Sequence, residues 1–160
     1  MSKTALVTGA CINTGVAIVE KFASEGWNVI FTGRNKEKVH AAERAYKEKF
    51  PDVTIIGYHI DSLIDERTVD EKTAEEMFAD IDAKGLFVDT LVLNAADQGL
   101  GIKINENPLT DFQKVINTNV TWNYFLSELA SRRMIPNGGG NIIFINSNTA
   151  YRAIPDRIAY

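Results

Sequence analysis

A single cysteine, Cys11, leaves no possibility of an internal disulfide. Such a chain is expected in a reducing compartment, read here as the cytoplasm. No apolar run approaches the roughly 20 residues of a membrane-spanning helix, so no membrane partner is expected. The N-terminal stretch MSKTALVTGACINTGVAIV is only mildly apolar, and Thr, Gly and Asn interrupt it, which makes a poor signal peptide. A basic excess is also missing. Lysine and arginine number 17 against 21 aspartates and glutamates, for a net charge of −4, and they form no basic stripe. Nucleic acid is therefore not an expected partner. The two histidines, His40 and His59, have no partners at metal-ligand spacing, so no metal site is expected. There is no internal repeat and no low-complexity segment.

What is present is an ordinary globular composition. Hydrophobic residues make up 45% and charged residues 24% of 160 residues, enough for one domain with a real core. Short apolar runs alternate with longer amphipathic ones. TALVT, WNVIFTG, VTIIGYHI, FVDTLVLN and NIIFINS read as five strands. The segments between them read as four helices. The first carries Val16, Val19, Phe22 and Ala23 on one face and stops at Gly26. The second has Asn35 as its N-cap and Val39, Ala42 and Tyr46 on one face. Thr68 and Glu71 have capping-box spacing for the third, whose core face is Ala74, Met77, Phe78 and Ile81, with Gly85 as its stop. Thr110 and Gln113 have the same spacing for a long fourth helix, reaching about Met134 and carrying Phe112, Val115, Ile116, Val120 and Leu126. The acidic DERTVDEKTAEE reads as a solvated helix face. TLVLN and IIFIN are apolar on both faces, as fits a parallel sheet covered by helices on either side. The expected fold is α/β, a doubly wound parallel sheet of about five strands. The long loop AADQGLGIKINENP, after the fourth strand, is the connection that calls for a functional explanation.

The first strand runs through TGACINTGVA into a helix, the setting of a dinucleotide site. Gly9 would permit a tight turn and Gly15 a close approach of backbone to a pyrophosphate, with Asn13 and Thr14 beside it. The small Ala17 would let helix and strand pack closely. The helix start supplies N–H groups and the positive end of a dipole. Five residues separate Gly9 from Gly15, a longer spacing than in G-x-G-x-x-G. Cys11 in this loop reads as a small loop residue, or, if exposed near the dipole, as an oxidisable thiol. The second strand ends FTGRN, with no acid for a ribose 2′-hydroxyl. Arg34 stands about twenty residues past the turn, where a guanidinium could hold a 2′-phosphate; the plainer reading is an exposed arginine at a helix start.

With these features in order, the chain resembles the short-chain dehydrogenase/reductase family. TGACINTGVA is similar to its T-G-x-x-x-G-x-G turn, two residues longer and with Ala17 for the last glycine, as in the divergent enoyl-reductase type, whose usual serine is Gly15 here. HIDS looks like the acidic end of the third strand, where Asp61 would meet the adenine. VLNAAD resembles N-N-A-G, with Asn94 and Ala95 in place and Leu93 and Ala96 substituted. NTNV puts Asn119 at the helix asparagine. INSNTA resembles I-S-S, with Ser147 as the catalytic serine, and Tyr160 follows it by thirteen residues, the interval to the catalytic tyrosine.

The resemblance implies a Rossmann-type fold and hydride transfer between NADP, or NAD, and a small carbonyl or alcohol substrate. Tyr160 would be the general acid or base, Ser147 would stabilise the substrate oxygen, and Asn119 would hold a backbone-linked water in the proton relay. Taken singly, Ser147 could merely end a strand and Tyr160 merely enter a helix. The family pattern continues Y-x-x-x-K, whereas this sequence stops at Tyr160. Residues 1–160 are thus expected to be one dinucleotide-binding domain, the C-terminal part missing, that binds cofactor without turnover and self-associates as a homo-oligomer. Two other functions fit the same features: a non-catalytic dinucleotide-binding or sensing protein, and a sugar-nucleotide epimerase on a related fold.

Overall fold

The computed structural model describes residues 2–103, 106, 108–152, 154–157 and 159–160. Five parallel strands form one sheet in the order β3-β2-β1-β4-β5: β1 is Thr4–Val7, β2 Asn28–Gly33, β3 Ile55–His59, β4 Thr90–Leu93 and β5 Asn141–Phe144. Side chains alternate across each strand, so a strand buried on both faces must be apolar throughout. In β1, Leu6 packs with Ile30, Leu91, Phe78 and Leu126 on one side of the sheet. Its neighbours Ala5 and Val7 pack with Phe31, Val19 and Val39 on the other. The helices α1 (Asn13–Ser24) and α2 (Lys36–Lys49) cover the second side, and α3 (Glu71–Ala83) and α5 (Trp122–Met134) the first. This is the doubly wound α/β sheet expected. β4 is fully buried, but β5 lies at the sheet's end, leaving Ile143 and Phe144 43% and 58% exposed rather than covered on both faces.

Local signals place most boundaries. The Asn35 side chain caps α2 by accepting from Lys38 N–H at 2.8 Å. Gly26 and Gly85 end α1 and α3 with φ of 78° and 67°. Two caps fall elsewhere than expected. α3 is capped by Asp70, which accepts from Thr73 N–H at 3.1 Å, because Thr68 is bound instead to Asp65. The first half of DERTVDEKTAEE is accordingly a short hairpin and only the second half a helix. α4 (Leu109–Ile116) begins after Pro108 with no side-chain cap, so Thr110 lies inside it.

The expected single fourth helix is α4, a π-helical turn at Asn117–Thr121, and α5. Val115, Trp122, Leu126, Leu129 and Met134 fill the core from this segment. Val120 does not: it is 57% exposed, on an outward stripe with Leu109 and Tyr124. Ile116 and Val120 are one turn apart on that stripe, which runs beside the core-facing one. Among the described residues, no helix is long and apolar enough to cross a membrane.

Candidate active site

The carboxyl ends of parallel strands lie along one edge of the sheet, where ligands of such folds bind. At that edge the first turn is tied to both neighbouring strands. Thr8 N–H donates to Val92 O and Ala10 N–H to Thr32 O, each at 3.0 Å. The Thr8 hydroxyl accepts from the backbone N–H of Asn94 and of Ala95, both at 2.9 Å. The Asn94 amide donates to the carbonyls of Thr8 (3.0 Å) and Gly9 (3.1 Å). The buried Tyr46 hydroxyl donates to Ala10 O at 2.7 Å, and burial pushes its pKa up to about 12, so it stays a donor.

Gly9 has φ of 66°, and a Cβ there would lie 2.8 Å from the Ala95 Cα. Gly15 is buried inside α1; a Cβ on it would lie 2.5 Å from Gly9 O and 2.6 Å from the Ala10 Cα. Asn13 takes φ of 51°, a left-handed backbone that glycine adopts freely and asparagine tolerates. α1 starts with no side chain capping its free N–H groups, which leaves them to an anion.

Cys11 packs against Gly33 and is half-buried; burial raises its thiol pKa, opposed by the nearby Lys38 charge. It behaves as the small loop residue of the plainer reading, not as a poised thiolate.

A cleft of about 720 Å³ opens over this turn. It is lined by Gly9, Asn13, Thr14, Gly15, Arg34, Asp61, Asn94, Ala95, Ser147 and Tyr160, so ten of the eleven site residues expected from sequence meet in one place. The eleventh, Asn119, sits behind it in the π turn. Its side-chain oxygen accepts from Asp97 N–H and its amide donates to Asp97 O, both at 2.8 Å. It thereby fixes the loop after β4, whose Ala96, Asp97 and Gln98 line the cleft. The Ser147 Oγ accepts from Thr149 N–H at 3.3 Å, leaving its O–H proton to donate into the cleft. Tyr160 lies outside regular structure, its N–H bonded to Arg157 O at 3.2 Å.

Two groups stand out among the lining residues that sequence reasoning missed. Lys38 stands four positions after Arg34, at the start of α2, a spacing that could have been read. The hairpin at residues 62–70 was concealed in an acidic run.

The pattern of the family described as short chain dehydrogenase matches residues 3–160. The chain belongs to the short-chain dehydrogenase family. An uncharacterized oxidoreductase of Thermotoga maritima is 32% identical over 158 residues, 99% of this chain and 58% of that protein. A 3alpha-hydroxysteroid dehydrogenase of Mediterraneibacter gnavus is 33% identical, over 99% of this chain and 61% of its own length. Among solved structures, NAD+-bound xylitol dehydrogenase superposes with a TM-score of 0.84 at 30% identity, over 99% of this chain and 58% of that one. L-sorbose reductase of Gluconobacter frateurii, complexed with NADPH and L-sorbose, gives 0.88 at 26% identity, over 99% and 57%. The chain thus spans about three fifths of the length of these short-chain dehydrogenase relatives.

The structure corrects the alignment of the family's turn. Thr8, Gly9, Asn13 and Gly15 occupy T-G-x-x-x-G-x-G at its ordinary length, with Asn13 at the middle glycine. The turn is not two residues longer and Ala17 is not its last glycine. Ala17 is exposed on α1, whereas Gly15 is the position where helix and turn touch.

Proposed function

We propose that the chain carries the cofactor half and part of the catalytic group of an NADP(H)-dependent oxidoreductase that interconverts a small-molecule alcohol and carbonyl. The observation that carries this reading is the single cleft joining the glycine cradle, the Arg34–Lys38 corner, Ser147 and Tyr160. The relatives named for xylitol, L-sorbose and a hydroxysteroid support a CH–OH substrate, and those with NAD+ and NADPH support a nicotinamide dinucleotide. The lone, half-buried Cys11 fits a cytoplasmic setting.

The nicotinamide, when bound, supplies the hydride. This chain's residues supply the rest. The N–H groups at the start of α1, with Gly9 and Gly15 clearing the way, bind the pyrophosphate, and Arg34 and Lys38 bind a 2′-phosphate. Asp61 meets the adenine. Ser147 donates to the substrate oxygen and offsets its developing charge. Tyr160 gives or takes the proton on that oxygen. Asn119 keeps its place in the proton relay, with main chain rather than its committed amide as the water's holder.

Residues 1–160 by themselves bind cofactor without turnover in this proposal. The cofactor contacts come from the rigid ends of β1, β2 and β3, whereas proton transfer needs a phenol fixed in place, and Tyr160 lies outside regular structure. The test pairs NADPH titration with NADPH oxidation over a panel of aldehydes and ketones. Binding without oxidation is expected. Failure to bind NADPH or NADH sinks the dinucleotide reading, and turnover abolished by Tyr160→Phe shows that these residues suffice for catalysis.

The homo-oligomer belongs to the same proposal. Leu109, Val120 and Tyr124 are 70%, 57% and 69% exposed along the α4–α5 face, and the β5 edge adds Ile143 and Phe144. Light scattering is expected to show self-association that grows with concentration; a monomer at high concentration counts against it.

A further inference from the structure

Asn123 is out of keeping with its surroundings. Among the described residues of α5, the buried ones are Trp122, Asn123, Leu126, Leu129, Ala130 and Met134, and Asn123 alone is polar. It is 7% exposed, and its side-chain oxygen is buried with no hydrogen-bond partner among the described residues. Such an oxygen lowers stability, because it gives up water and gains no bond in return. A leucine, of similar size, would carry no such penalty.

The amide nitrogen of Asn123 does have a partner. It donates to Asn119 O at 2.8 Å. In a regular α-helix that carbonyl receives the main-chain N–H of residue 123. Here the side chain of that residue reaches it, at the seam between the π turn and α5. The turn at Asn117–Thr121 is wound i→i+5, with Trp122 N–H bonded to Asn117 O. That winding turns less per residue than the α-helix does, so consecutive side chains diverge less. Three in a row hold other segments. The Asn117 amide donates to Arg67 O at 2.9 Å, and the Thr118 hydroxyl lies 3.2 Å from that of Ser62. The Asn119 side chain bonds both main-chain groups of Asp97 at 2.8 Å. The first two reach the hairpin after β3 and the third the loop after β4, and both segments line the cleft.

We infer that Asn123 is a positioning residue: its amide holds the Asn117–Thr121 turn in its π winding, and through that turn keeps the hairpin after β3 and the loop after β4 in place around the cleft. The unpaired oxygen is the penalty of that hold. The effect on cofactor affinity rests on the dinucleotide reading above.

Two substitutions separate the donated bond from the side chain's bulk. Asn123→Leu keeps the bulk but removes both the unpaired oxygen and the donor. Its urea midpoint is expected to hold or rise, while NADPH binds roughly tenfold more weakly and Asp97 N–H exchanges faster with solvent. Asn123→Ser leaves space in the core but keeps a donor. A serine hydroxyl can reach the carbonyl four residues back, as Ser127 does to Asn123 O at 2.7 Å. Its urea midpoint is expected to fall, while NADPH affinity stays within about twofold of the original. Affinity that follows the urea midpoint across the three chains overturns the inference. So does equal loss in both variants, or unchanged affinity and Asp97 exchange in Asn123→Leu. If the original chain binds neither NADPH nor NADH, the dinucleotide reading fails, and Asp97 exchange in the two variants still decides the inference.

Discussion

Arg34→Asp is expected to reverse the NADPH preference proposed above, weakening NADPH about a hundredfold while NADH binds at least as well as before. Arg34 is exposed at the end of β2, on the rim of the cleft, with Lys38 on the first turn of α2. A 2′-phosphate there would gain charge-assisted bonds from the guanidinium, each contributing about 1.5–3 kcal/mol. The substitution removes those bonds and sets a carboxylate against the phosphate. The same carboxylate can accept from the ribose 2′-hydroxyl of NADH. Arg34→Ala, which only removes the attraction and leaves Lys38, should cost roughly tenfold for NADPH and change NADH little. As the corner is exposed to solvent, the original preference should shrink with added salt. Fluorescence titration of both cofactors against the three chains measures all of this. An NADPH-to-NADH ratio that does not move with the charge at residue 34 would show that the 2′-phosphate lies elsewhere.

Gly15→Ala should damage fold and site together. In an ordinary helix this exchange stabilises by up to about 1 kcal/mol. Here the new Cβ would sit 2.5 Å from Gly9 O and 2.6 Å from the Ala10 Cα, and both must open to the 3.4 Å where ordinary contact begins. Neither neighbour is the end of a flexible side chain. Both are backbone, held by the Asn94 amide, the Tyr46 hydroxyl and Thr32. Overpacking of about 1–3 kcal/mol therefore outweighs the helix gain, and the protein unfolds at lower urea. The displaced turn no longer presents its N–H groups to a pyrophosphate, and NADPH should weaken by roughly tenfold or more. Ala17→Gly is the control. Ala17 is exposed, so glycine there should cost about 1 kcal/mol of helix stability and leave cofactor affinity alone. The opposite pattern, binding hurt at residue 17 and not at 15, would restore the longer turn that sequence spacing first gave.

That exchange of roles between Gly15 and Ala17 shows where sequence reading stops. Glycines can be counted, but a backbone angle cannot. Asn13 serves as the turn's middle glycine only because its φ is 51°, and nothing in the residue name says so. The hairpin at residues 62–70 was hidden likewise. Asp65, Thr68 and Asp70 are each good caps, and only the folded chain shows that Asp65 takes Thr68 for a turn and leaves α3 to Asp70. The outward stripe through Val120 was counted as core because stripes one residue apart look alike until packing selects one.

Local order was legible in the chain itself. The alternation of strands and helices, the Asn35 cap, the Gly26 and Gly85 stops and the core face of α3 follow from side-chain period and backbone freedom within a few residues of each position. Membership of the family was legible for the same reason, since its motifs sit at strand ends and helix starts. Which motifs meet was decided by the tertiary structure. The parallel order β3-β2-β1-β4-β5 brings residues 9, 34, 61, 94 and 147 to one edge, and the hydrogen bonds between Thr8 and Asn94 and between Asn119 and Asp97 lock distant segments together. Those contacts join residues far apart in sequence, and no local propensity encodes them. They form because the two-faced apolar strands β1 and β4 can be buried only between helices on both sides of one sheet.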